Sequence, residues 1–207
     1  MITESQLTDP NLQKVEAPVE VFPTLETERL LLREFTFEDA EDVFRIFSQE
    51  EVTRFHNLET MTSISEAERL LAARIALYEH GLGVRWAITE KDHPEKVVGS
   101  CGLFSLNRAF RSAEVGYDLH PDFWNNGLVT EAVTAVLDYG YSHHFFYPLN
   151  RVEAVTDPAH YVSIHVLRKL GFTEEGIRRE YGFWKGRFHD LRAFSLLRRD
   201  WVNRPKS

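Results

Sequence analysis

From Glu28 to Phe35 the chain is apolar (ERLLLREF), and Thr36 then stands as a helix N-cap with Asp39 three residues on, in the manner of a capping box. A strand feeding a helix is predicted. In that helix Ala40, Val43, Phe44 and Phe47 recur at three- and four-residue spacing, while Glu38, Glu41, Asp42 and Arg45 take the other face. A second helix is predicted over 65–80, with Ala67, Leu70, Leu71, Arg74, Ile75 and Tyr78 in register and Gly81 as its stop. From Val84 the period drops to two. VRWAITE, a turn at Asp92-His93-Pro94, VVGSCGLFSL and AEVGYDLH predict three successive antiparallel strands. A helix over 128–146 follows, with Val129, Ala132, Val133, Val136, Leu137 and Gly140 on one face, then a strand over 151–156 and a helix from Tyr161 to Leu170. The tail alternates through Phe172 to Tyr181, turns at Lys185-Gly186 and returns as AFSLLRRDW, a closing hairpin. Its rings, Tyr181, Phe183, Trp184, Phe188, Phe194 and Trp201, are expected mostly in core and hairpin packing.

This order predicts an α/β (α+β) fold, a mixed and mostly antiparallel central sheet with helices on both faces. No internal repeat or low-complexity linker follows residue 25, so 25–207 is expected to form a single domain. Residues 1–24, polar, acidic and punctuated by Pro10, Pro18 and Pro23, are expected to form a flexible N-terminal arm. The arm lacks the cationic start and apolar centre of a signal peptide.

Composition narrows the function. Fifteen Phe, seven Tyr and four Trp exclude a disordered polymer. Lys+Arg 24 against Asp+Glu 32 gives a net charge of -8, which repels a phosphate backbone, so no nucleic-acid partner is expected. A single cysteine rules out an internal disulfide, and no apolar run is long enough for a membrane span; a cytoplasmic protein without membrane partners is expected. No metal site is expected either. His143 and His144 are adjacent, His160 and His165 lie five apart, and no His-Glu-x-x-His occurs. Cys101, between Gly99 and Gly102 in an apolar run, reads as a buried inert thiol. Neither a Gly-x-Ser-x-Gly elbow nor a Gly-x-x-x-x-Gly-Lys phosphate loop is present.

The stretch that carries chemistry is YDLHPDFWNNGLVTEA, where a strand ends at His120-Pro121, a loop carries Asn125-Asn126-Gly127 and an amphipathic helix begins at once. Backbone N–H groups at such a helix start, with the positive end of its dipole, make an anion site suited to a phosphate or pyrophosphate. Gly127 admits close approach of the backbone. By itself, a glycine before a helix is equally an ordinary connection.

After this loop comes DPAHYVSIHVLRKLGF, and the two stretches in this order resemble the GNAT N-acetyltransferase family, nearest the branch that includes the ribosomal-protein N-terminal acetyltransferases. The opening LETERLLLREFTFEDAEDVF is similar to that branch's start, VVGSCGLF and EVGYDLHPDFWNNGLVTEAV to its central strands and acyl-CoA loop, and RKLGFTEEG to its last helix and strand. The likeness spans residues 24 to 201. It implies an acyl-CoA N-acyltransferase fold with a splayed strand pair, its open edges Val115–Leu119 and Arg151–Thr156, and acetyl-CoA as cosubstrate. It also implies direct attack by a primary amine in a ternary complex. Asn125, Asn126, Gly127, Leu128, Val129 and Thr130 would bind the coenzyme, and the Leu119 N–H would polarise the acetyl carbonyl.

The chain departs from the family in three places. Trp124-Asn125-Asn126-Gly127 replaces Trp-Gly-Lys-Gly, losing one glycine and the lysine. His160 stands for the family's Asn and is carried over as a coenzyme contact; Ser163, three residues on, is retained. Leu167 occupies the position of the acidic tyrosine, so none is assigned, and Tyr117 or Tyr181 would have to substitute. Aminolysis of a thioester needs a proton acceptor and a group to hold the departing thiolate. Glu114 is the candidate base, or else a salt-bridged strand carboxylate. Ser163 is the candidate partner of the sulfur, or else a helix cap. The expected partner is an amine acceptor, small molecule or protein N-terminus, and the acidic balance suits a cationic one such as a polyamine or an aminoglycoside-like amine. Monomer and homodimer stay open. The altered loop and missing tyrosine favour one alternative, a non-catalytic module that binds or senses acyl-CoA.

Overall fold

The computed structural model describes residues 21–204; most of the arm expected at 1–24 lies outside them. Eight strands form one sheet in the order β1-β2-β3-β4-β5-β6-β8-β7. These are β1 (Leu25–Glu26), β2 (Leu30–Arg33), β3 (Val84–Glu90), β4 (His93–Asn107), β5 (Ser112–Leu119), β6 (Arg151–Thr156), β7 (Thr173–Trp184) and β8 (Arg187–Leu197). Every neighbouring pair is antiparallel except β5 with β6. The helices are α1 (Ala40–Phe47), α2 (Glu50–Thr53), α3 (Ile64–Glu79), α4 (Leu128–Gly140), α5 (Tyr161–Lys169) and α6 (Arg198–Val202).

Period-two alternation sorts the sheet between two cores. In β3, Val84, Trp86 and Ile88 join the larger cluster with Ala132, Val133, Val136 and Leu137 of α4, while Ala87 joins a second with Val43, Phe47, Ala67 and Leu71 of α1 and α3. Helices therefore cover both faces, as the pattern required. The Thr36–Asp39 capping box forms around a short 3-10 turn, Phe37–Asp39, that leads into α1. A second box at Ser63 and Glu66 starts α3.

Three boundaries differ from expectation. Helix α4 stops at Gly140 rather than continuing to residue 146. The aromatic run behind it mimics helical periodicity, but Pro148 disfavours helix before it, and Phe145 and Leu149 are buried from a loop. The β3–β4 turn is Lys91-Asp92, so His93 and Pro94 already lie in β4. The final RRDW is helical, because Trp201 turns inward and its indole N–H donates to Asp138 Oδ1 at 2.8 Å. Of the tail aromatics only Phe194 and Trp201 are core; Tyr181, Phe183 and Phe188 are exposed near the β7–β8 turn. Cys101 is buried, and burial pushes its thiol up. Among the described residues no helix is long and apolar enough to cross a membrane.

Candidate active site

Strands β5 and β6 run parallel and pair only at Ser112↔Arg151, Ala113↔Val152 and Glu114↔Glu153. Beyond Glu114 they part, while β6 stays paired with β8 as far as Thr156↔Arg192. On the other side His120 N donates to Val98 O at 2.8 Å, so even-numbered residues of β5 turn their peptide groups to β4. The peptide groups of Val115, Tyr117 and Leu119 then face β6 and the gap; the Glu114↔Glu153 pairing uses the Val115 N–H and Trp124 takes the Leu119 carbonyl, which leaves the Val115 carbonyl, both groups of Tyr117 and the Leu119 N–H open. An interior sheet edge with free donors and acceptors is a slot for an extended ligand. The open edge of β6 is shorter than expected: Arg151, Val152 and Glu153 are taken by β5, and the gap begins at Ala154.

The loop from β5 to α4 is held in place on both sides. The Trp124 indole N–H donates to Leu119 O at 2.7 Å, and Asn125 and Gly127 adopt left-handed backbone, φ 61° and 77°. Gly127 is the N-cap of α4 and brings no side-chain acceptor; the first helical bond is Glu131 N to Gly127 O, 3.0 Å. The N–H groups of Leu128, Val129 and Thr130 are therefore left to an outside acceptor, at the positive end of the helix. Glu131 does not cap them. Its carboxylate accepts from Thr27 Oγ1 at 2.5 Å and from Arg29 N and Nε at 2.9 and 2.7 Å, while Arg29 donates to Asn126 O at 3.0 Å. The β1–β2 turn thus braces the loop from outside.

The gap and the helix start open into one cavity of about 1020 Å³. Glu114, Leu119, Asn125, Gly127, Leu128, Val129, Thr130, His160 and Ser163 all line it. Asn126 does not line it, and its carbonyl is occupied by Arg29.

Strand β5 presents different chemistry on its two faces. Toward α5, the Tyr117 hydroxyl lies 2.9 Å from Ser163 Oγ, and burial pushes the phenol up to about 12. Ser163 sits inside α5, whose N-cap is His160, so it is not the cap that was one of its two readings. The His160 ring stacks on Phe55 with centroids 4.4 Å apart, and burial lowers its pKa. Toward α1 and α3 lie Glu114, Gly116 and Asp118. Burial raises the Glu114 carboxyl, Glu153 opposite raises it further, and Arg178 opposes both.

Residues 29–173 match the family model described as an acetyltransferase (GNAT) domain. The chain belongs to the GNAT acetyltransferase family. It is 38% identical over 178 residues to the uncharacterized N-acetyltransferase YoaA of Bacillus subtilis (strain 168), covering 86% of this chain and 98% of that protein. At 24% identity it matches a spermidine N(1)-acetyltransferase of Vibrio cholerae, covering 85% of this chain and 97% of the other. Among solved structures, the ribosomal-protein-S5-alanine acetyltransferase of Vibrio fischeri superimposes with a TM-score of 0.69 at 24% identity, over 88% of this chain and 100% of that one. The protein is therefore an N-acetyltransferase that uses acetyl-CoA, and the non-catalytic alternative falls. An extended thioester fits the slot, and a diphosphate fits the uncapped start of α4.

The acetyltransferase also holds a buried polar cluster that the sequence reading did not assemble. Asp118 Oδ2 accepts from Arg85 at 2.5 Å, Ser100 Oγ at 2.7 Å and Arg74 at 3.3 Å. Burial pulls the Asp118 carboxyl up, but Arg74 and Arg85 outweigh it and hold the pKa low. Arg74 lies against the Phe35 and Phe47 rings, 5.0 and 5.1 Å from their centroids, and burial lowers its guanidinium to about 9. His56, closed in beside them, is pushed down to about 4 by burial. One signal was legible: an arginine, Arg74, on the apolar face of α3.

Proposed function

We propose that this enzyme moves acetyl from acetyl-CoA to a primary amine, small molecule or protein N-terminus, by direct attack in a ternary complex, with 25–207 acting as one domain. The observation that carries the reading is the parting of β5 from β6 beside a helix start that has no capping side chain. Acetyl-CoA supplies the activated acetyl thioester; the chain's own residues bind, orient and move protons. The N–H groups of Leu128, Val129 and Thr130, with Asn125 and Gly127 shaping the turn, hold the diphosphate. Leu119 N–H donates to the acetyl oxygen as charge develops there. Glu114 takes the amine proton, directly or through water; burial and Glu153 raise its pKa, the direction that makes its carboxylate a stronger base.

Tyr117 and Ser163 serve the leaving side. A phenol at about 12 keeps its proton at working pH. It lies 2.9 Å from Ser163 Oγ, where either oxygen can donate, and 3.3 Å from the Ser163 carbonyl, and with Tyr117 as the donor the serine hydroxyl is free to turn toward the sulfur. The pair steadies a thiolate by a hydrogen bond rather than supplying its proton. Ser163→Ala is expected to lower kcat about tenfold, the loss of one hydrogen bond to a charged group. Tyr117→Phe should cost less, and the double variant no more than Ser163→Ala alone. Thiol release from acetyl-CoA across a panel of amines tests the reading as a whole: turnover of at least one amine is expected. Coenzyme binding without turnover of any of them would contradict it.

A further inference from the structure

The net charge of -8 favours a cationic acceptor, yet the floor of the acceptor side carries the opposite sign. Two guanidinium groups, Arg74 and Arg85, share the single carboxylate of Asp118, an excess of one positive charge in a desolvated cluster. The Asp118 side chain is sealed. Its Oδ1 is buried without a partner among the described residues, and Oδ2 takes all three donors, so no ligand reaches the negative end.

Arg85 is placed differently. Its Nε donates to Ser100 Oγ at 2.9 Å and one terminal nitrogen to Asp118, while the other, NH1, has no partner among the described residues and is not among the buried unpaired atoms. NH1 lies over Gly116, 3.5 Å from where a Cβ would stand, and Gly116 and Arg85 both line the cavity. A Cβ at Gly116 would also meet the Phe104 ring at 2.9 Å, so only glycine lets guanidinium and ring cross the strand here. Gly116 follows Glu114 on the same face by one alternation, about 7 Å along the strand. A proton acceptor and a free guanidinium edge thus face one space. The other acidic and basic groups lining the cavity are Glu51, Arg54, Asp157 and Lys169, of which Glu51, Arg54 and Lys169 are exposed.

We propose that the acceptor is of the amino-acid class, with a carboxylate within a few bonds of its amine, and that Arg85 NH1 holds that carboxylate while the amine lies beside Glu114. This deepens the amine-acetylating reading and rests on it. A free guanidinium donor in a low-dielectric wall selects a carboxylate by charge and hydrogen bond together. A polyamine would bring more positive charge against Arg85 and Arg74 and is disfavoured.

The test measures kcat/KM of the full chain with acetyl-CoA and matched acceptors: L-leucine against 3-methylbutylamine and leucinamide, L-phenylalanine against phenethylamine, and spermidine. The acids are expected to lead their decarboxylated and amide partners by tenfold or more, chiefly through KM, with spermidine last. Arg85→Gln should bring the acid-to-amine ratio close to one, and Arg85→Lys should restore part of it. Because Arg85 also supports Asp118, the Gln variant is read only if its melting transition persists; the wild-type ratio decides otherwise. Amines, amide or spermidine matching the acids in the wild type overturns the proposal and leaves amine acetylation standing. If no acceptor turns over, the previous reading fails, and calorimetry with N-acetylleucine decides the subsite separately. Binding that exceeds N-acetylleucinamide tenfold supports it, and equal or absent binding overturns it.

Discussion

Glu114→Gln is expected to reduce kcat/KM by a factor on the order of 10² to 10⁴, the range of a positioned general base, with little change in coenzyme affinity. The isosteric amide keeps the shape of β5, so the loss reports proton transfer. The pH dependence carries more information than the magnitude. A carboxyl whose pKa is raised by burial and by Glu153 is protonated, and useless as a base, below that raised value. The wild-type rate should therefore climb with pH through it and level above, and the glutamine variant should lack that limb. Glu153→Gln removes the like charge and releases Arg178 from its 3.0 Å bond, so the limb should move to lower pH. A wild-type limb that survives in Glu114→Gln would return Glu114 to a structural carboxylate of the strand.

Gly127→Val should weaken coenzyme A binding by roughly 10- to 100-fold in calorimetry, from about 1–3 kcal/mol of strain in a left-handed position closed to β-branched residues. The backbone there has φ 77°, and an added Cβ meets nothing closer than Arg29 at 3.7 Å, so conformation rather than collision does the damage. To escape, the loop must turn, and the donors of Leu128, Val129 and Thr130 turn with it. Global stability should change little, because the loop is exposed and the α4 core contacts remain. Unaltered affinity would mean that the diphosphate lies elsewhere.

The two substrates' chemistry was unequally legible in the sequence. The loop and the helix follow from local patterns, alternation ending at Leu119, a glycine at the helix start and apolar spacing from Leu128, whereas the gap was expected only from the family resemblance. Glu114 and Ser163 stood out because they fall inside motifs. What positions them was not legible. Arg29 bracing Asn126 and Glu131 joins residues 97 and 102 apart, and Arg74, Arg85, Ser100 and Asp118 meet only because α3, β3, β4 and β5 converge. Long-range ion pairs carry no periodicity. The end of α4 was misjudged for the opposite reason, since Tyr141, Phe145 and Phe146 continue the apolar spacing of the helix while packing from beyond its end. Exposure of Tyr181, Phe183 and Phe188 likewise escapes a reading in which aromatic means buried.

The most direct test is a crystal structure of the enzyme with coenzyme A. The pantetheine arm is expected extended between Val115–Leu119 and Ala154–Thr156, with the diphosphate on the N–H groups at the start of α4 and the sulfur within hydrogen-bond reach of Ser163. A coenzyme bound outside that cleft, or one whose phosphates contact no backbone donor of Leu128, Val129 or Thr130, would contradict this placement.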